Sequence, residues 1–243
     1  MNYKLTIQYD GTDFAGWQFQ PYQKTVQGII VESIEILLKE KVNLIGAGRT
    51  DAGVHAWGQI ANFKTSHKLD LKKFKYSLNS ILPKSIAIPD ISLARGNFHS
   101  RYDAVLRSYI YIFSLEKNPF YNRFSYKAEY LANYNLEKLN LISKVLQGEK
   151  DFSSFAKSKT ETQNKVCRIN KIYWRRSGNF IIVLVEANRF LHGMVKTIVG
   201  TILQAYKEPN PTNYLNNILS AKDRRAAAQA VPSKGLCLFK VKY

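Results

Sequence analysis

Apolar and polar residues take turns along positions 3–9, the period of a strand with one buried face, and Asp10-Gly11-Thr12-Asp13 supplies turn residues to end it. Thr25 then predicts a helix start, because Val26, Ile29, Ile30, Ile34, Leu37 and Leu38 recur at helical spacing behind it. Gly28 stands where a glutamate would complete a capping box, which weakens that start. Val42, Leu44 and Ile45 read as a buried strand, and positions 59–63 alternate as a half-buried one. Asp70 predicts a second helix with Leu71, Phe74, Leu78, Ile81 and Leu82 on one face and Pro83 closing it. A strand over 86–93 follows, so the first half reads strand, helix, strand, strand, helix, strand.

Arg95-Gly96-Asn97 has loop composition, and a domain boundary is expected between Arg95 and Ala104. This gives two α/β domains, 1–100 and 101–243. Positions 106–115 predict a strand with Tyr109, Tyr111 and Phe113 on one face. Asn118-Pro119 marks a turn, and Asn135 caps a helix that turns Leu136, Leu139, Ile142, Val145 and Leu146 inward and ends at Gly148. Strands over 169–174 and 180–187 form a hairpin through Ser177-Gly178-Asn179. A helix opening at Asn188-Arg189-Phe190-Leu191 places Leu191, Val195, Ile198 and Ile202 on one side, with Met194, Lys196 and Gly200 elsewhere around it. Glycine costs about 1 kcal/mol against alanine in a helix interior, so close packing is the expected reason for Gly200.

Between the third and fourth predicted elements lies Ala47-Gly48-Arg49-Thr50-Asp51-Ala52-Gly53-Val54-His55-Ala56, a loop joining two strands. Gly46, Gly48 and Gly53 suit a tight turn and a close ligand approach. A dinucleotide fingerprint needs a helix directly after its glycines, and a phosphate loop needs a Gly-Lys-Ser/Thr ending; neither is present. On turn chemistry alone, Asp51 as a loop cap with Arg49 as its surface partner is as good a reading as Asp51 as a reacting carboxylate.

Composition narrows the partners. The chain has 243 residues, enough for two modest domains, and carries 36 Lys+Arg against 18 Asp+Glu, a formal charge of +18. An excess of that size points to a polyanion. The basic residues cluster, with Lys64, Lys68, Lys72, Lys73 and Lys75 in one segment and Lys157, Lys159, Lys165, Arg168, Lys171, Arg175 and Arg176 in another. Phe74, Tyr76, Tyr173 and Trp174 interleave with them, as nucleic-acid contact by phosphate pairing and stacking would use. Cys167 and Cys237 are far apart and lack a Cys-x-x-Cys partner or clustered histidines, so neither a disulfide framework nor a zinc site is indicated. No long apolar window and no basic-then-apolar start is present, and a cytoplasmic protein is expected.

The string from Gly48 to His55 resembles the signature of the TruA family of tRNA pseudouridine synthases. Further matches run from Tyr9 to Tyr243: Phe14-Ala15-Gly16-Trp17-Gln18, Phe98-His99-Ser100-Arg101, Arg107 with Tyr109, Asp151-Phe152-Ser153-Ser154-Phe155, Met194-Val195-Lys196, and the ending through Gly235-Leu236-Cys237-Leu238. The resemblance implies a pseudouridine synthase fold, with two α/β halves sharing a continuous mixed, largely antiparallel sheet and helices packed on it. It implies an isomerase acting on uridines 38, 39 and 40 of the tRNA anticodon arm, without cofactor or metal, as a homodimer. Asp51 is then the catalytic carboxylate, Tyr109 the ring that stacks on the target base, and Arg49 the side chain entering the place the base leaves. Lys196 stands where many relatives carry an arginine that pairs with the aspartate; it keeps the charge and loses the bidentate fork. The expected RNA contacts are Arg49, Lys72, Lys73, Lys157, Lys159, Arg168, Arg175 and Arg176. A non-catalytic RNA-binding protein on the same scaffold, and a relative modifying other positions, are the competing readings. His99 in its connector reads as a hydrogen-bonding strut.

Overall fold

A computed structural model of the chain describes residues 1–157 and 162–243. In chain order the elements are β1 (Asn2–Tyr9), α1 (Val26–Leu38), β2 (Ile45–Gly46), β3 (His55–Lys64), α2 (Leu71–Ile81), β4 (Ile86–Ala94), β5 (Leu106–Ser114), β6 (Tyr126–Lys127), α3 (Leu136–Ser143), β7 (Gly148–Asp151), β8 (Val166–Ser177), β9 (Phe180–Ala187), α4 (Met194–Ala205), α5 (Pro211–Ala221) and β10 (Leu236–Lys242). Contacts divide the chain into two compact units, Met1–Val105 with Cys237–Tyr243, and Leu106–Leu236. Both are mixed α/β, with helices on a mixed, largely antiparallel sheet.

In the first unit β1 lies between β4 and β3, antiparallel to both, with Tyr3 opposite Phe63 and Leu93. β2 adds antiparallel to β3, while the last strand, β10, pairs parallel to β3 through Cys237 and Leu238. The capping residues act as predicted: Thr25 accepts the Gly28 N–H at 3.2 Å and Asp70 the Lys73 N–H at 3.1 Å. Val26, Ile30 and Ile34 of α1 and Phe74 and Leu78 of α2 are buried, and Phe63 packs between Tyr3 and Phe74, ring centroids 5.8 and 6.2 Å away. Lys72 and Lys73 point to solvent from α2, and so does Ile81, assigned to the buried face from its spacing.

Two strand expectations need correction. Val42 and Leu44 precede β2, which holds only Ile45 and Gly46, because the segment before it is tied by side chains: Val42 N–H donates to Glu35 Oε1 and Leu44 O accepts from Gln27 Nε2. Positions 59–63 are not half-buried; all five are buried, polar Gln59 and Asn62 included. A buried amide must be hydrogen-bonded, and each is. Gln59 Nε2 donates to Gly48 O at 2.8 Å. Asn62 donates to Asn2 Oδ1 at 3.1 Å and accepts from Ser100 N–H at 2.9 Å, while Asn2 donates to the carbonyls of Arg95 and Phe98. The polar positions that look like an outer face are therefore fasteners for the loop before β3 and the connector after β4.

The second unit has strand order β5-β9-β8-β7, with β6 parallel to β5. The β8–β9 hairpin turns through Gly178, at φ +57, and Asn179, longer at both ends of β8 than its apolar alternation indicates. α3 covers β8: Asn140 takes both backbone groups of Trp174, at 2.8 and 3.0 Å, and Ser143 Oγ accepts the indole N–H at 2.9 Å. Asn135 caps α3, whose last turn tightens to 3-10 geometry before Gly148. α5, capped by Asn210 with Pro211 in its first turn, was not foreseen, although Asn-Pro ahead of Leu215 and Ile218 is a start signal.

The expectation for α4 also changes. Every residue of Met194–Ala205 except Gly200 and Gln204 is buried, so Met194 and Lys196 are interior and not on a second, polar side. Gly200 meets its predicted reason: a Cβ there would lie 2.2 Å from Gln229 O, and Val231 N–H donates to Lys196 O at 3.2 Å. Helix propensity favours Gly200→Ala by about 1 kcal/mol, but the backbone of 229–231 leaves no room. Gly200→Ala should therefore lower the urea midpoint, and a raised midpoint would show that this segment yields.

Candidate active site

Asp51 sits in a loop tied to the first unit through its neighbours in the chain. Thr50, before it, is buried; its hydroxyl shares a 2.8 Å hydrogen bond with Tyr9 Oη, and its carbonyl accepts the Trp17 N–H at 3.1 Å. Gly16, at φ +106, passes so close that a Cβ would lie 2.6 Å from Thr50 O, so only glycine fits in both space and backbone angle. After Asp51 the chain turns through Gly53 at φ +74, Val54 N–H donates to Asp51 O at 3.2 Å, and β3 begins at His55. The other loop glycines serve differently: Gly46 makes room for the Trp17 indole, and nothing lies within 4 Å of a Cβ at Gly48.

His55 is buried at 4% exposure, and its Nδ1 accepts the Gly11 N–H at 3.0 Å, which pins the turn after β1 to the start of β3. Asp10 Oδ1 lies 3.2 Å from the same nitrogen, so the carboxylate closes over the same junction. The outcome is one exposed cation, Arg49, one buried clamp, Thr50, and one half-buried carboxylate, Asp51, on consecutive residues. Tyr9, Trp17, Gly16 and Gln59 were not foreseen as its supports, because each acts across a long sequence separation.

In the second unit Tyr109 is buried on β5 and meets Phe190 edge-on, centroids 5.2 Å apart at 90°. Arg107 Nη1 donates to Asn188 O at 2.8 Å, tying β5 to the segment that carries Phe190. Lys196, 8% exposed, reaches Ser233 Oγ with its Nζ at 3.0 Å. Tyr111 Oη holds the neighbouring Pro232 O at 2.8 Å, so β5 and α4 both grip the same short segment. Ser233 carried no signal in the sequence.

The RNA-contact candidates separate by unit. Arg49, Lys72 and Lys73 are exposed in the first, and Lys157, Arg168, Arg175 and Arg176 in the second. Arg168 and Arg175 lie on β8 with Tyr173, on the face opposite buried Cys167, Ile169, Ile172 and Trp174, and Lys171 Nζ stands 5.2 Å from the Tyr173 ring. Lys157 Nζ lies 3.2 Å from His192 Nε2. Lys159 falls outside the described residues. His99 Nδ1 faces the N–H groups of Arg101 and Tyr102 at 3.2 and 3.3 Å, a strut's geometry. Burial pushes the thiol of Cys167 up to about 11 and that of Cys237 up to about 12, so both are protonated and inert near neutrality. Among the described residues no group of three His, Cys, Asp or Glu side chains is placed to hold a metal, and no helix is long and apolar enough to cross a membrane.

A profile described as tRNA pseudouridine synthase matches residues 5–103 and 142–243, which hold Asp51 with its supports and Lys196 with Ser233, while Arg107, Tyr109 and Tyr111 lie between the two stretches. The chain belongs to the tRNA pseudouridine synthase family. Members of this family are isomerases, and the curated relatives agree over full length. The chain is 40% identical to tRNA pseudouridine synthase A of Brachyspira hyodysenteriae, over 97% of this chain and 95% of that protein. It is 41% identical to the protein of the same name from Caldicellulosiruptor saccharolyticus and 36% to that of Bacillus subtilis, each over 100% of this chain and 99% of the relative.

For a pseudouridine synthase held in this way, Gly16→Ala should displace Thr50 and cut pseudouridine formation strongly. Tyr9→Phe should cost about 1 kcal/mol of stability, the value of one buried hydrogen bond, with a smaller loss of rate. Comparing unfolding midpoints with tRNA turnover for the two variants checks this. An unaffected Gly16→Ala enzyme would mean that the loop is not fixed from this side.

Proposed function

We propose that this protein converts uridine to pseudouridine at positions 38, 39 and 40 of the tRNA anticodon arm, with Asp51 as the catalytic carboxylate. The observation that carries the reading is the Asp51 loop, in which a family signature is built into a turn fixed by Thr50, Gly16 and Tyr9 with its carboxylate left half-buried. A reacting group has to be held by its surroundings to within a fraction of an ångström, and a surface loop cap needs no such support.

The reaction breaks the bond from ribose C1′ to base N1, turns the base, and joins C1′ to C5. The proton leaves C5 and N1 gains one, so no redox equivalent is consumed. A carboxylate beside the ribose can act as nucleophile or as base, and Asp51 takes that role. Lys196 is the positive partner that keeps this carboxylate ionised, by the attraction of opposite charges. Its burial in α4, with Ser233 directing Nζ, supports a task for the charge over a place on a solvated helix. Tyr109, steadied edge-on by Phe190, stacks on the detached uracil.

A uridine within a stem must leave it to react, at a cost of a few kcal/mol. Arg49, exposed beside Asp51, fills the vacated place. Lys72, Lys73, Lys157, Lys159, Arg168, Arg175 and Arg176 hold phosphates. The enzyme works in the cytoplasm as a homodimer on one tRNA.

Asp51→Asn should abolish pseudouridine formation and leave tRNA binding within a few-fold; retained turnover would remove Asp51 from the mechanism. Lys196→Met should cut the rate strongly and Lys196→Arg mildly, whereas a fully active Lys196→Met enzyme would make the lysine incidental. Position-resolved mapping of pseudouridine in tRNA treated with the purified protein tests the sites themselves. Binding without any new pseudouridine would favour a non-catalytic RNA-binding role.

Charge gives a separate test. Neutralising Lys72 with Lys73, or Arg175 with Arg176, should weaken binding to all tRNAs alike and flatten its salt dependence, by roughly 0.7 to 0.9 in the log–log slope per lost contact. Arg49→Ala should spare most affinity and slow single-turnover chemistry. The reverse pattern would mean that the two roles are exchanged.

A further inference from the structure

We propose that the loop of residues 18–24 presents Phe19 and Tyr22 as a stacking platform for unpaired RNA nucleotides beside the uridine delivered to Asp51; this rests on the function proposed above. The loop springs from the support of Asp51 itself. Its ends are closed by Ala15 N–H to Lys24 O at 2.9 Å and Gln27 N–H to Trp17 O at 3.0 Å, and the same Trp17 donates to Thr50. Whatever lies on this loop is therefore carried at a fixed offset from the catalytic turn.

Phe19 is held in place and left open. Its N–H donates to Gln27 Oε1 at 2.8 Å, and Gln27 Nε2 is anchored in turn on Leu44 O. The ring lies against the first turn of α1 at Gly28, where a Cβ would come within 3.3 Å of it. This accounts for the weakened capping box: a glutamate at that position would displace the ring. Despite these contacts Phe19 remains 60% exposed.

Tyr22 is held out at a conformational cost. Gln23 N–H donates to Gln20 O at 3.3 Å with Pro21 first inside the turn, so Tyr22 occupies the position of a type II turn that asks for glycine. It does so at φ +61, a left-handed conformation that a bulky side chain rarely adopts, with its side chain fully exposed. Strain of this kind persists where surroundings impose it and clusters at ligand contacts.

The chemistry of the loop selects the partner. Gln18, Gln20, Gln23 and Lys24 surround the two rings, and no acidic residue occurs between Asp13 and Glu32. Flat rings among amides and a cation suit nucleobases, because every base offers a π face. The groove of about 580 Å³ that Phe19 lines holds Glu32 and Glu35 against Lys24 and Lys41, with Lys41 paired to Glu35 at 2.7 Å, so it offers phosphate no excess of positive charge and the ring faces are the contact on offer.

The test uses the whole protein and an RNA hairpin copying an anticodon arm, with 2-aminopurine at each loop position in turn, whose fluorescence falls on stacking. Wild type should quench one or two positions. Tyr22→Gly should unfold no earlier than wild type, since glycine accepts the backbone angle, yet lose that quench and bind about fivefold or more weakly, with an unchanged salt slope because no charge is lost. Tyr22→Phe should keep both quench and affinity, and Phe19→Leu should behave like Tyr22→Gly. Wild-type quench and affinity in Tyr22→Gly, or a loss that Tyr22→Phe shares, would overturn the platform, as would a wild-type protein that does not bind the hairpin. A wild type that binds and quenches but makes no pseudouridine would instead sink the proposed function and leave the platform standing.

Discussion

Thr50 is fixed at its hydroxyl by Tyr9 and at its carbonyl by the Trp17 N–H, and the bare backbone of Gly16 closes over it. A buried hydroxyl and a buried carbonyl each need a partner, since leaving either unmade costs about 1–3 kcal/mol. The clamp therefore admits few alternatives. Arg49 and Asp51 inherit their positions from it: one residue earlier the side chain reaches solvent, and one residue later it is half-buried. The loop 18–24 inherits its position from the same contact through Trp17.

Polar groups in the sheet extend that constraint. Gln59 and Asn62 occupy β3 positions that an ordinary central strand would fill with apolar side chains, and each amide also bonds backbone outside the strand, Gly48 on one side and the connector 95–100 on the other. Hydrophobic side chains would bury as well and hold nothing. A satisfied amide gives direction, which burial alone lacks, and direction is what a loop carrying a reacting group requires.

The second unit solves a related problem for a cation. Burying an ammonium is costly, and α4 places Lys196 in a helix with no other charged residue. Gly200, one turn on, lets 229–231 come against the helix, which brings Ser233 within reach of Nζ. The glycine that weakens the helix is thus tied to the environment of its charge, a local loss accepted for a tertiary contact.

Local physics was legible in the sequence. Thr25, Asp70 and Asn135 each cap the helix their spacing announced, and the strand–helix order of the first half stands, because caps, periodicity and turn residues act within a few positions of chain. The Gly48–His55 string also declared the family, since so many residue types at fixed spacing rarely coincide without it. What tertiary structure alone decided lies at long separation. It set the parallel return of β10 to β3, the inward turn of Gln59 and Asn62, the burial of Lys196, and the hold of Tyr9 and Gly16 on Thr50. A polar residue in a strand reads as outward-facing until its partner is known, and such partners lie outside the strand, 11 residues away for Gln59 and 38 and 60 for Asn62, where neither propensity nor period reaches.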